Sequence, residues 1–230
     1  MGFAISQRGQ ILLTGGTNAK NLEPHELDTV KEQAILGAEA ARKTGCAAPW
    51  VGVDRSGTVD STTDPGREAF IVHTDLGHKR NCLEACLCDA AVALEGGDGT
   101  VSEAVFTLSL GKPVVFIGNT WNKYKIGSGG QLADFAAMVN HAFRRVSEIP
   151  PSDAPLNGLF NQAALLARLS KAATYEWFPA PNTQGDVLAT TINALKWLQK
   201  SLGGNFQGNF PGIPRYAKVA ADYDQWVKNV

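Results

Sequence analysis

The chain has 230 residues, a mass of 24.5 kDa and a formal charge of −1, with 21 Lys plus Arg against 22 Asp plus Glu. At 44% apolar and 19% charged residues it can fill a sizeable core and is not composed like a disordered chain. A pI near 6.4 lacks the basic excess of a general nucleic-acid binder, and four cysteines in so long a chain do not make a disulfide framework. The length suits one domain, expected over residues 1–203, in a reducing, cytoplasmic setting.

The opening residues, MGFAISQRGQ, lack the basic start and long apolar run of a signal peptide. They match the myristoylation pattern M-G-x-x-x-S through Gly2 and Ser6, but that pattern is short, and ordinary helix is the better reading of residues 2–9. Gln10–Thr14 reads as a strand ending in Gly15-Gly16. Residues 24–45 read as a helix, with Pro24 early and Gly45 just past the end. Ala48–Val53 and Ala69–Thr74 are further strands, separated by a turn-rich loop over 54–67. A helix is expected from near Gly77. Ala90–Leu94 and Pro113–Ile117 are continuous apolar runs of the kind that strands buried on both faces show, with a helix over Thr100–Leu110 between them. Gln131–Phe143, Leu156–Ala172 and Gln184–Leu202 read as helices, and Arg144–Glu148 and Thr174–Phe178 as strands.

Strands alternating with helices imply right-handed βαβ units and a parallel sheet covered on both faces. The expected class is α/β: a doubly wound, three-layer, Rossmann-like fold lacking the usual first strand, because a helix rather than a strand precedes Gln10. Residues 204–230, with Phe206, Phe210, Tyr216 and Trp226, read as an aromatic extension that covers the resulting sheet edge or meets a partner subunit.

Glu95-Gly96-Gly97-Asp98-Gly99-Thr100 falls between a buried strand and a helix, at the carboxyl edge where open α/β sheets bind ligands. Glycines there let a ligand approach the backbone, and the helix start presents N–H groups to an anion. The segment is neither a dinucleotide G-x-G-x-x-G nor a Walker A loop, since Gly111-Lys112 is followed by Pro113. With a helix beginning at Thr100, Glu103 stands at N3, where a capping box and a catalytic carboxylate look alike. Arg80 shares a helix face with Leu83 and Leu87 and is expected to point inward toward an anion: a substrate phosphate, Glu103, or another carboxylate. His73, His78, Cys82, Cys86 and Cys88 cluster in sequence, but Cys82-x3-Cys86-x-Cys88 is not a usual zinc spacing, and small buried residues explain the cysteines better.

Gly77-His78-Lys79-Arg80 followed by Gly96-Gly97-Asp98-Gly99-Thr100-Val101-Ser102-Glu103 resembles the Lonely Guy (LOG) family within the wider SLOG superfamily. Its pattern is M-H-x-R-K and then P-G-G-x-G-T-x-x-E, and its relatives include molybdenum-cofactor carriers and proteins once mislabelled lysine decarboxylases. The resemblance implies a homodimeric or larger homo-oligomeric phosphoribohydrolase, which splits nucleoside 5′-monophosphates into free base and ribose 5-phosphate. It implies Arg80 and Glu103 as the catalytic pair. Gly15, Gly16 and Thr17 in a first loop, and Gly96, Gly97, Asp98, Gly99 and Thr100 in a second, would hold the phosphate. No cofactor for catalysis, metal, nucleic acid or membrane is implied; the partner is a small phosphorylated ligand. Glu95 in place of the proline and Asn81 in place of the lysine depart from the pattern. The alternative is therefore a non-catalytic carrier of a nucleotide or a molybdenum cofactor (a phosphorylated pterin), with a nucleotide-sensing module as a third reading.

Overall fold

The computed structural model describes residues 1–15, 30–46, 49–54, 69–127, 132–146 and 161–203. The described residues are of the mixed α/β class expected, with parallel sheets and helices on both sides. They form two compact units, one over Met1–Gly77 and one from His78 onward. The proposed extension 204–230, the turn-rich loop and residues 24–29 and 156–160 lie outside the described residues.

In the first unit, α1 (Gly2–Gln7) precedes β1 (Leu12–Thr14), so a helix rather than a strand leads into the sheet. The order of the parallel sheet is β1, β2 (Trp50–Asp54), β3 (Ala69–His73), with Leu12 opposite Trp50 and Trp50 opposite Ala69. α2 (Val30–Lys43) links β1 to β2 and buries Ile35, Ala38 and Ala41. Ile35 and Ala38 pack with Leu12 and Trp50 into a small core. Helices α1 and α2 cross closely because both are glycines at the contact. A Cβ on Gly2 would fall 1.9 Å from the Ala34 carbonyl oxygen, and one on Gly37 would fall 2.8 Å from the Phe3 nitrogen. Helix packing thus accounts for Gly2 in the M-G-x-x-x-S pattern, and Ser6 is buried in the same helix.

The second unit holds the larger core. α3 (Arg80–Leu87) follows a 3-10 turn over Gly77–Lys79, and then come β4 (Ala91–Ala93), α4 (Asp98–Ser109) and β5 (Val114–Ile117). A 3-10 segment over Asn119–Tyr124 leads to a short antiparallel pair, β6 (Lys125–Ile126) with β7 (Leu132–Ala133), followed by α5 (Phe135–Val146), α6 (Gln162–Ala172), β8 (Tyr175–Phe178) and α7 (Gln184–Ser201). The sheet order is β4-β5-β8, all parallel, with Val114 opposite both Ala91 and Tyr175. β5 is buried at every residue, as its continuous apolar run predicts.

α4 is buried almost all round, against β4, β5, α3, α5 and α6. That burial carries polar groups inside, and each finds a local carbonyl: the Ser102 hydroxyl donates to Gly99 O (2.8 Å), Thr107 to Glu103 O (2.7 Å) and Ser109 to Phe106 O (2.8 Å).

Two sequence expectations fail here. The strand expected over Arg144–Glu148 does not form at its start, since Arg144 continues α5 to Val146; residues 147–148 lie outside the described set. The apolar positions Val139, Ala142, Phe143 and Val146 keep the 3- and 4-residue spacing of a helix through this stretch. The helix expected from Gln131 starts only at Phe135, because Asp134 accepts the Ala137 N–H (2.9 Å) and so fixes the helix start, while Leu132 and Ala133 pair with β6.

Candidate functional site

β4 and β5 are parallel, so their carboxyl ends share one sheet edge. There the chain passes through Glu95, Gly96 and Gly97 into α4. Gly97 is the N-cap, at φ −93° and ψ −155°, and contributes no side-chain cap. The Val101 N–H closes the first helical bond on Gly97 O (3.2 Å), so the first-turn amides at Asp98, Gly99 and Thr100 have no intrahelical acceptor.

The glycines of this turn differ in what holds them. A Cβ on Gly96 would lie 2.2 Å from Thr100 Oγ1, because the Thr100 side chain folds back over the turn. A Cβ on Gly97 would meet no atom within 4 Å, and one on Gly99 only Asn81 Nδ2 at 4.0 Å. Packing therefore explains Gly96; the space at Gly97 is open.

Glu95, which stands where the family pattern has proline, closes the strand side of the turn. Its Oε1 accepts the Asn119 N–H (2.9 Å), tying the exit of β4 to the exit of β5. Gly118, at φ +119°, lies against it so tightly that a Cβ would come 2.3 Å from Glu95 Cγ.

Arg80 is the first residue of α3. Its guanidinium lies 3.6 Å from Glu84 Oε1, one turn along the same helix, with side chains 17% and 9% exposed. Of the partners expected for Arg80, a carboxylate of its own helix is therefore one that it has. The inward face is not the one expected. Asn81, Cys82, Glu84 and Ala85 are buried, whereas Leu87 is 54% exposed. α3 packs on α4 through small and polar side chains, and the leucine is left outside. Asn81 Nδ2 donates to Ser102 Oγ and also reaches Gly99 O at 3.4 Å. This contact joins the start of α3 to the first turns of α4, with Arg80 and Glu103 each one residue from it in the chain.

Glu103 stands deeper than expected. Because α4 begins at Asp98, Glu103 is in the second turn, about 7–8 Å along the axis from the helix start, and not at N3. A capping box at this end is excluded, since its N-cap is a glycine. Gly15 is buried just after β1 in the first unit; Gly16 and Thr17, and the side chain of His78, lie outside the described residues.

The cysteines read as structural. Burial, with Cys86 beside it, pushes the Cys82 thiol up to about 12, and burial also raises Cys88, partly opposed by Thr107 and Lys112. Neither is a thiolate at neutral pH. Among the described residues, no group of three His, Cys, Asp or Glu side chains could hold a metal ion, and no helix is long and apolar enough to cross a membrane. Lys112 caps α3: its ammonium donates to the carbonyls of Ala85 (2.9 Å), Cys86 (2.7 Å) and Cys88 (2.6 Å).

Sequence reasoning missed two residues beside the turn. His141 of α5 meets the Asp98 carboxylate through Nε2 and the Tyr124 hydroxyl through Nδ1. Burial and the nearby Asp98 charge raise the Tyr124 phenol above its ordinary value, with Arg144 opposing. Only the fold brings these three together, so no local spacing could have shown them; a histidine among the apolar residues of α5 is the sole hint.

The geometry joins a glycine turn, an uncapped helix N-terminus and a bonded acidic residue at one sheet edge. The SLOG cluster4 family model matches residues 1–141, which span both glycine loops and the whole of α4. The chain belongs to the SLOG cluster4 family. One solved structure similar to this SLOG chain is the molybdenum cofactor binding protein from the phototrophic bacterium Rippkaea orientalis. It is 19% identical, over 84% of this chain and 83% of that chain, with a TM-score of 0.44. No curated protein matches the SLOG chain.

Proposed function

We propose that this SLOG cluster4 chain is a non-catalytic binding or carrier protein for a small phosphorylated ligand, a nucleotide or a phosphorylated pterin such as the molybdenum cofactor. The phosphate would rest on the first-turn amides of α4, over Gly97, Asp98, Gly99 and Thr100. The observation that carries this reading is the open position at Gly97: the N-cap of a buried helix has no side chain, no side-chain capping bond and, apart from its own residue and its two chain neighbours, no atom within 4 Å of where a Cβ would stand. A helix start left in this way suits an anion, which takes the orphan N–H groups and meets the positive end of the helix dipole.

Binding is favoured over hydrolysis by what surrounds the turn. Arg80 is already paired with Glu84, Asn81 joins α3 to α4 in place of the family's lysine, and Glu103 sits a turn behind the amides. A phosphoribohydrolase needs Arg80 and Glu103 directed at the glycosidic bond.

The test is a titration of AMP and of inorganic phosphate followed at the backbone amides by NMR, with free adenine measured in parallel. Saturable shifts centred on residues 96–100 with no adenine released are expected. Unmoved amides at millimolar ligand overturn the reading. Adenine release that disappears in Glu103→Gln and Arg80→Ala replaces it with the hydrolase.

A further inference from the structure

Helix α3 is folded with its polarity reversed. A surface helix ordinarily turns its apolar side chains inward and its polar ones to solvent. In α3 the buried side chains include Asn81 and Glu84, beside Cys82 and Ala85. The opposite side carries Leu83, half-buried, and then Cys86 and Leu87, both exposed. At about 100° per residue Leu83, Cys86 and Leu87 share one stripe, directed away from Asn81, Glu84 and Ala85.

The polar side turns inward because α4 takes it: Asn81 Nδ2 donates to Ser102 Oγ and reaches Gly99 O. Among the described elements, α4 is the one that packs extensively on α3. A single chain gains nothing from leucine in water, whereas a contact that buries the stripe does. The ends of the stripe say what fits it. Lys79, half-buried, stands at its start and Asp89, exposed, just past its end, and the stripe between them carries no charge. A positive end, an apolar middle and a negative end make a surface that is complementary to itself turned end for end. A two-fold contact requires that property, since each copy presents the same patch. The two helix dipoles would then run in opposite directions, which favours the pairing.

We propose that the outer face of α3 is the apolar centre of a two-fold interface with a second copy of this chain, with Lys79 of each copy facing Asp89 of the other across Leu83, Cys86 and Leu87. α3 has eight residues and spans about 12 Å, so it supplies the centre of the contact and the surface around it the polar rim. The interface needs no ligand, and it stands or falls apart from the binding reading above.

Sedimentation equilibrium of the full chain tests it, at protein concentrations up to tens of micromolar. The wild-type protein should form a dimer. Leu87→Glu, at a side chain 54% exposed in the single chain, should weaken that dimer at least about tenfold and leave the circular dichroism unchanged. Lys79→Glu and Asp89→Lys should each weaken it about three- to tenfold, and the two reversals together should restore it, a rescue that needs the antiparallel second copy. A readout without any variant is the alkylation of Cys86 by iodoacetamide, located by mass spectrometry. Cys86 should react more slowly as protein concentration rises through the dimer range, because the second copy covers it. A monomer throughout, with Cys86 equally reactive at every concentration, overturns the proposal. So does a dimer that Leu87→Glu leaves intact, since the contact then lies elsewhere. Failure of the double reversal to restore the dimer overturns the end-for-end pairing.

Discussion

Two helices of the second unit open in opposite ways. α7 begins at Thr183, whose Oγ1 accepts the Asp186 N–H (3.1 Å), while the Asp186 carboxylate accepts the Thr183 N–H (3.0 Å). This reciprocal box satisfies the donors with the chain's own side chains. α4 begins at Gly97 with no such bond, although it is the more deeply buried of the two. Stability alone gives no reason to treat the more buried helix less well. The difference separates a helix start that the protein completes with side chains from one that has no side-chain cap, which on the proposed reading a ligand completes. It also separates the two sides of the glycine turn: the strand side is closed by Glu95, Gly118 and Asn119, and the helix side is open.

The closed side should give the largest effect. Gly118→Ala places a Cβ against Glu95 at φ +119°, a conformation essentially reserved for glycine, and should cost about 2–4 kcal/mol. Denaturant unfolding measures it, and an unchanged midpoint would show that Glu95 yields and the strand side is not rigid. Next is the closed end of α3. Lys112→Met keeps the aliphatic stem but removes three charge-assisted bonds to the carbonyls of Ala85, Cys86 and Cys88, and should cost about 1.5–3 kcal/mol. Smaller again is Thr183→Ala at the closed start of α7, at about 1 kcal/mol. Neither Lys112→Met nor Thr183→Ala should alter anion affinity under conditions where the variant is folded. An altered affinity would mean that the closed ends and the open one are not independent.

How legible each of these was follows from the range of the interaction. β5 and α7 are set by residues within a few positions of each other, so the apolar run Pro113–Ile117 and the pattern over 184–202 reveal them. The glycine turn was legible for the same reason, although the helix starts two residues earlier than Thr100 and so moves Glu103 out of the first turn. Arg80 was readable as an ion-paired residue. Its partner depended on which face of α3 turns inward, and that is decided by α4, whose Ser102 and Gly99 take Asn81. Lys112 was noticed only as part of a failed phosphate-loop pattern, because its acceptors are backbone carbonyls, which no sequence marks. His141 and Tyr124 lay beyond reach, joined to Asp98 by tertiary folding alone.

The smallest expected effect on stability is the one that decides the comparison. Gly97→Ala places a methyl group where no atom beyond the adjoining residues lies within 4 Å, on an extended backbone with negative φ (−93°) and ψ −155°. Losing glycine's freedom in the unfolded chain offsets any small strain, so the unfolding midpoint should correspond to a change within about 0.5 kcal/mol. Affinity for sulfate or AMP should nevertheless fall at least tenfold, because the methyl group occupies the approach to the first-turn amides. Gly185→Ala, in the first turn of the closed helix, is the control: only Thr183 Oγ1 at 3.8 Å lies near its Cβ position, and it should change neither quantity appreciably. If Gly97→Ala instead lowers stability by more than about 1 kcal/mol and leaves anion affinity intact, the glycine belongs to the fold. The open start of α4 would then be a turn that happens to lack a cap.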